Sequence, residues 1–176
     1  VFTWSASGAI ITDMLAATYP TVLLFVVDTP RCSSPTTFMS NMLYACSIMY
    51  KTRLPLVVVF NKIDVASHET AVSWMEDFEA FQHALDEEKD DSYIHSLSRS
   101  LSIALDDFYS VIAKVGVSAY TGMGMDALFA TIEAQKQDYK ENYLTELEAA
   151  RASRAAAEQD TGMPHLTHAL IGTIKI

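Results

Sequence analysis

The sequence predicts an α/β domain built on a parallel sheet, and three observations carry that reading. Leu54-Pro55-Leu56-Val57-Val58-Val59-Phe60 is a β-branched and aromatic run without a polar break, the pattern of a strand buried on both faces. Val22-Leu23-Leu24-Phe25-Val26-Val27 repeats that pattern. Between and beyond these runs, apolar residues recur at helical spacing, as expected of segments packed against such a sheet.

The 176 residues suffice for one domain with a real core. Half of them are hydrophobic, which places the chain among globular rather than disordered sequences. A net charge of −10 argues against a nucleic-acid surface, because phosphate binding needs clustered Lys and Arg. Cys32 and Cys46 sit in apolar settings without metal spacing, a pattern that fits a reducing compartment. No stretch reaches the roughly 18 unbroken apolar residues of a membrane span, and no membrane partner is expected. The chain opens on Val1 with no signal peptide, so it is expected to be the interior piece of something longer.

In chain order, Val1 to Gly8 reads as a small-residue loop. Ile10, Ile11, Met14 and Leu15 then mark a helix that Tyr19-Pro20 ends. The Val22–Val27 strand closes in Asp28-Thr29-Pro30-Arg31. A strand-end Asp near a nucleotide site invites a metal role, but turn chemistry with Pro30 is the preferred reading. Ser33-Ser34-Pro35 starts a helix, with Ser as cap and Pro in the first turn. Phe38, Met39, Met42, Leu43, Cys46, Met49 and Tyr50 form its apolar stripe, read as core, and Lys51 and Arg53 suit its carboxyl end.

After the central strand, a helix from Ser67 carries Ala71, Trp74, Met75, Phe78, Phe81 and Leu85 on one face. Asp86 to Asp91 is a charged surface loop, a poor catalytic pair because nothing apolar surrounds it. His83 and His95 are isolated and are not read as ligands. Ile94, Leu97, Leu101, Leu105, Phe108 and Ile112 mark another amphipathic helix. Lys114 to Ala119 reads as a third short strand, followed by a turn at Gly122 and Gly124 and a helix from about Asp126. Leu128, Phe129, Ile132, Tyr139, Tyr143 and Leu147 continue helically, and helix-prone composition runs to Glu158.

The chemistry gathers at two strand ends. Asn61-Lys62-Ile63-Asp64 closes the central run, and ligands of open α/β sheets bind at the carboxyl ends of strands. An ionised Asp64 can accept two parallel N–H bonds from N1 and N2 of a guanine edge. The stem of Lys62 can lie along the base while its charge stays wet. Asn61, with a donor and an acceptor, suits a brace to a neighbouring loop. The bland alternative is a helix-start Asp after an ordinary strand. One strand–helix unit later, Val117-Ser118-Ala119 and Gly122-x-Gly124 can aim backbone N–H groups at a carbonyl such as guanine O6.

With both halves in place, the chain resembles the GPN-loop GTPases. The subgroup it resembles is the XPA-binding type, tied to RNA polymerase II assembly and nuclear import. Phe2 to Gly8, Thr37 to Ile48, Tyr50-Lys51-Thr52 and Trp74 to Gln82 carry the likeness beside the two loops. It covers residues 1–150, expected to be the C-terminal part of a GTPase domain, with 151–176 a helical extension and unassigned tail. The implied fold is the three-layer αβα P-loop NTPase type with a long C-terminal helix, truncated by the lack of the P-loop strand and helix. None of the six glycines is followed by Lys, so the G-x-x-x-x-G-K-[ST] phosphate cradle is absent. The Gly-Pro-Asn insertion is missing too, and the family's Asp-x-x-Gly-Gln stretch would lie before Val1.

The resemblance implies GTP and GDP as ligands, with Mg²⁺ in the intact parent. Asn61, Lys62, Asp64, Ser118 and Ala119 are its nucleotide-binding residues here, and no catalytic or metal-binding residue is assigned. The intact parent is expected to hydrolyse GTP, and this chain to be inactive alone. The alternative is a non-catalytic assembly module. The resemblance also implies pairing with a GPN-loop paralogue as hetero- or homodimer, contact with RNA polymerase II subunits, and a cytoplasmic protein that shuttles to the nucleus.

Overall fold

The computed structural model describes residues 5–87, 100–101, 105–145 and 148–149. Three strands, β1 (Leu23–Asp28), β2 (Leu56–Asn61) and β3 (Ala113–Val117), form one parallel sheet in the order β1-β2-β3. The described helices are α1 (Ala6–Thr18), α2 (Pro35–Thr52), α3 (Glu69–Glu76), α4 (Phe78–Glu87), α5 (Asp106–Val111) and α6 (Met125–Asp138). A 3-10 turn at Thr29–Cys32 follows β1, and a π-helical turn at Tyr139–Tyr143 follows α6.

The sheet separates two apolar layers. On one face, Leu56, Val58 and Phe60 pack with the α2 stripe (Phe38, Met39, Met42) and with Trp74, Phe81 and Phe108. Phe38 centres this layer, its ring 5.3 Å from Trp74 and 6.0 Å from Phe81. Met39 and Met42 are buried there, as the stripe predicts; Tyr50, at the end of the helix, is exposed. On the other face, Val57, Val59 and Val117 pack beneath Leu128 of α6. The three-layer αβα arrangement expected from the sequence is therefore present.

Several local expectations change. The first helix begins at Ala6, inside the segment read as a loop, because the Ser5 hydroxyl accepts the Gly8 N–H at 2.9 Å. The single helix expected from Ser67 is two. Asp77 takes an extended conformation, and its carboxylate accepts from Glu79 and Ala80 at 2.9 and 3.2 Å, capping a new helix. The third strand stops at Val117, leaving Ser118 and Ala119 in the turn.

The larger correction concerns β1, expected to be buried on both faces. Val27 is buried and Leu23 and Phe25 pack against the main core, but Leu24 and Val26 are 43 % and 60 % exposed. Among the described residues β1 is an edge strand, and α6 on that face covers β2 and β3 instead. A groove of about 180 Å³ between Leu24 and Ile132 marks where cover stops. On α1 Gly8 and Ala16 are buried, while Ile10, Ile11, Met14 and Leu15 are exposed. The readings of Val1–Trp4, the loop beyond Glu87, Ile94, His95, Leu97, Leu147 and the tail fall outside the described residues.

Candidate functional site

Two loops meet at the carboxyl ends of β2 and β3. Parallel pairing sets Asn61 opposite Val117, so the residues that follow each strand emerge side by side. The Asn61 amide oxygen accepts the Ala119 N–H at 3.1 Å and the Lys62 N–H at 2.9 Å. The Ile63 N–H donates to Val117 C=O at 3.2 Å, a second tie between the loops. Asn61 therefore joins the two segments that the sequence singled out, although they lie 58 residues apart.

Lys62 follows in a left-handed conformation, φ 71°. Holding a lysine there costs on the order of 1–2 kcal/mol, and such strain concentrates at functional loops. Its carbonyl then accepts from Val65 and Ala66, closing a tight turn that leaves Asp64 exposed. An exposed carboxylate at the mouth of the strands is free to accept donors from a ligand.

The second loop is shaped from beneath by Ser118. This residue is fully buried; its hydroxyl accepts from Thr121 N–H, its N–H donates to Met123 C=O, and its C=O accepts from Gly122 N–H. Ser118 thus builds the turn, and Ala119 and Tyr120 form its exposed rim. Gly122 and Gly124 both have positive φ, 80° and 77°. Space around Gly122 is open, but a Cβ on Gly124 would lie 2.1 Å from Gly116 C=O.

A differential prediction follows for the two glycines. Gly122→Ala is expected to lose about 1–2 kcal/mol from the left-handed backbone alone. Gly124→Ala adds a clash with rigid backbone and is expected to lose roughly 3 kcal/mol or more. Chemical denaturation of the full-length protein checks this, and equal losses would contradict the close contact.

Sequence reasoning missed two supports of this site. The His68 ring covers Gly116, where a Cβ would come within 2.5 Å, and it lies 6.0 Å from the Phe60 ring. A glycine inside a strand signals such an approach. The other support is Asp28, read above as a turn residue. Its Oδ2 sits 2.8 Å from Lys62 Nζ and 3.7 Å from Arg31 Nε.

The described residues contain no group of three or more His, Cys, Asp or Glu side chains able to hold a metal. Mg²⁺ at a nucleotide site takes one or two protein ligands beside phosphate and water oxygens, so it needs no such cluster. Thiol chemistry is disfavoured. Burial pushes both the Cys32 and Cys46 thiols up, and a raised pKa withholds the reactive thiolate. A further groove of about 490 Å³ lies around Leu54, Pro55 and Leu56, at the opposite end of β2 from the motif loops.

Parallel strands between two helical layers, with paired polar loops at their carboxyl ends, define a P-loop GTPase-like α/β fold. A solved structure agrees: PAB0955, a GTPase of Pyrococcus abyssi in apo form, superposes with TM-score 0.62 at 16 % identity, covering 76 % of this chain and 53 % of that one. Residues 1–138 match the family model described as "Conserved hypothetical ATP binding protein". The chain is 59 % identical over 154 residues to GPN-loop GTPase QQT2 of Arabidopsis thaliana, covering 88 % of this chain and 40 % of that protein. It is 55 % identical over 159 residues to GPN-loop GTPase 1 of Dictyostelium discoideum, covering 90 % and 40 %. The chain belongs to the GPN-loop GTPase family. It spans about 40 % of the length of these curated relatives.

Proposed function

We propose that this chain is the C-terminal, guanine-reading part of a GTPase domain whose full-length protein binds and hydrolyses GTP with Mg²⁺. The observation that carries the reading is the Asn61–Ala119 bond, which locks the two strand-end loops into one site with Asp64 exposed beside it. Asp64 accepts the two guanine N–H groups, the Lys62 stem supports the base, and the Ala119 loop lies toward O6. Asp64 also supports guanine over adenine, the two bases suggested by the relatives' names and by the family model. A carboxylate matches the two adjacent donors of guanine, whereas adenine offers one donor beside an acceptor.

A second reading applies to the 176 residues by themselves: a non-catalytic assembly module. It is favoured by the lack of any Gly-Lys pair in the sequence, since phosphoryl transfer rests on a cradle that positions and neutralises the phosphates. The resemblance to the XPA-binding subgroup supports wider roles proposed for the full-length protein: pairing with a GPN-loop paralogue, contact with RNA polymerase II subunits, and shuttling between cytoplasm and nucleus.

Phosphate release tests the division of labour. The full-length protein is expected to hydrolyse GTP in preference to ATP, and residues 1–176 alone to release nothing above a no-protein blank. Release by the short chain that Asp64→Ala abolishes would show that the chemistry has been misplaced.

A further inference from the structure

We propose that Asp28 is a positioning residue of the guanine site, clamping the Lys62 ammonium so that the lysine stem already spans the ends of β1 and β2 before a base arrives. The inference rests on the reading of Asn61 to Asp64 as the base-contacting loop. Parallel pairing places Asp28 opposite Asn61, one residue from Lys62. Lys62 Nζ donates to Asp28 Oδ2 at 2.8 Å, across 34 residues of sequence. Were Asp28 only a turn residue, its carboxylate would cap the 3-10 turn that follows, and it makes no such bond. The pair is half wet, with the Lys62 and Asp28 side chains 51 % and 32 % exposed. Ion pairs so exposed add little to folding stability, so its effect lies in ordering the lysine.

Ordering matters because lysine is rich in rotamers, and immobilising such a side chain at the moment of binding weakens affinity. The left-handed backbone of Lys62 and its anchored tip fix both ends of the stem in advance. The other face of the same corner remains ready for donors. Asp28 Oδ1 and Thr29 Oγ1 are buried without a hydrogen-bond partner among the described residues.

The test is the affinity of GDP and of guanosine for the full-length protein and its Asp28→Ala, Asp28→Asn, Lys62→Ala and double-Ala variants. Asp28→Ala is expected to weaken both ligands about three- to tenfold, the effect of one side chain ordered late. The equal loss for guanosine places the effect at the base rather than the phosphates. Asp28→Asn keeps an acceptor for the ammonium and is expected to recover most of the affinity. The double variant should bind no more weakly than Lys62→Ala, and the ligand-free melting temperature should hold.

Affinity unchanged in Asp28→Ala, losses that multiply in the double variant, or a lower ligand-free melting temperature with normal affinity would each overturn the clamp. Asp64→Asn measured in parallel separates the two claims. If it leaves guanine selectivity intact, the site reading fails. If it abolishes selectivity while Asp28→Ala binds normally, only the clamp fails.

Discussion

Asp64→Asn in the full-length protein is expected to lose guanine nucleotides and gain xanthosine nucleotides. An ionised carboxylate accepts from both N1 and N2 of guanine; an amide offers one donor and one acceptor, which matches the xanthine edge, where oxygen replaces N2. A good bidentate pair discriminates by about 1–3 kcal/mol. At roughly 1.4 kcal/mol per tenfold, that is a loss of about 5- to 150-fold for GTP over the unmodified protein. The exposed position of Asp64, beyond the turn closed by Lys62 C=O, makes the substitution a clean one for the fold. Competition between GTP and xanthosine triphosphate reads the exchange, and unchanged selectivity would remove Asp64 from the site.

Residues 1–176 produced alone are expected to be insoluble or to bind hydrophobic dyes strongly. β1 is an edge of the described sheet, with backbone groups open to pairing beside exposed Leu24 and Val26. An exposed apolar edge is a template for association with another chain. The exposed Ile10, Met14 and Leu15 on α1 enlarge the unburied surface. Burying one Val, Leu or Phe side chain contributes roughly 1.5–3 kcal/mol, against a net domain stability of about 5–15 kcal/mol. Several such residues left in water are enough to decide whether the domain stands. Co-expression with the N-terminal portion of the full-length protein is expected to rescue it. A soluble monomer with a sharp thermal transition and no dye binding would favour a self-sufficient module.

The strands and the two motif loops were legible because their signals are local. An unbroken run such as Leu56 to Phe60 has few alternatives to a buried strand, and it is buried throughout. The abrupt change to Asn-Lys-x-Asp placed the loop at the strand end where it lies. The same local logic failed for β1, because a strand's burial depends on what covers it. Val22 to Val27 reads like β2, yet its Leu24 and Val26 meet solvent where α6 does not reach. The break at Asp77 was hidden by apolar spacing that continues in register across it, and only the capping carboxylate reveals it. Asp28 does start the Thr29–Cys32 turn, as read, but its pairing with Lys62 was missed for a related reason. Its neighbour Pro30 signals a turn locally, while its partner Lys62 is brought to it by strand pairing, which single-sequence patterns do not display.

The loops joined by Asn61 and Ala119 are proposed to read a guanine base. A crystal structure of the full-length protein with GDP tests it most directly. Both Asp64 carboxylate oxygens are expected within about 3 Å of guanine N1 and N2, the usual distance for charge-assisted bonds, with the Lys62 stem along the base. A base bound elsewhere, or an Asp64 carboxylate turned to solvent with the guanine edge held by other groups, would contradict it.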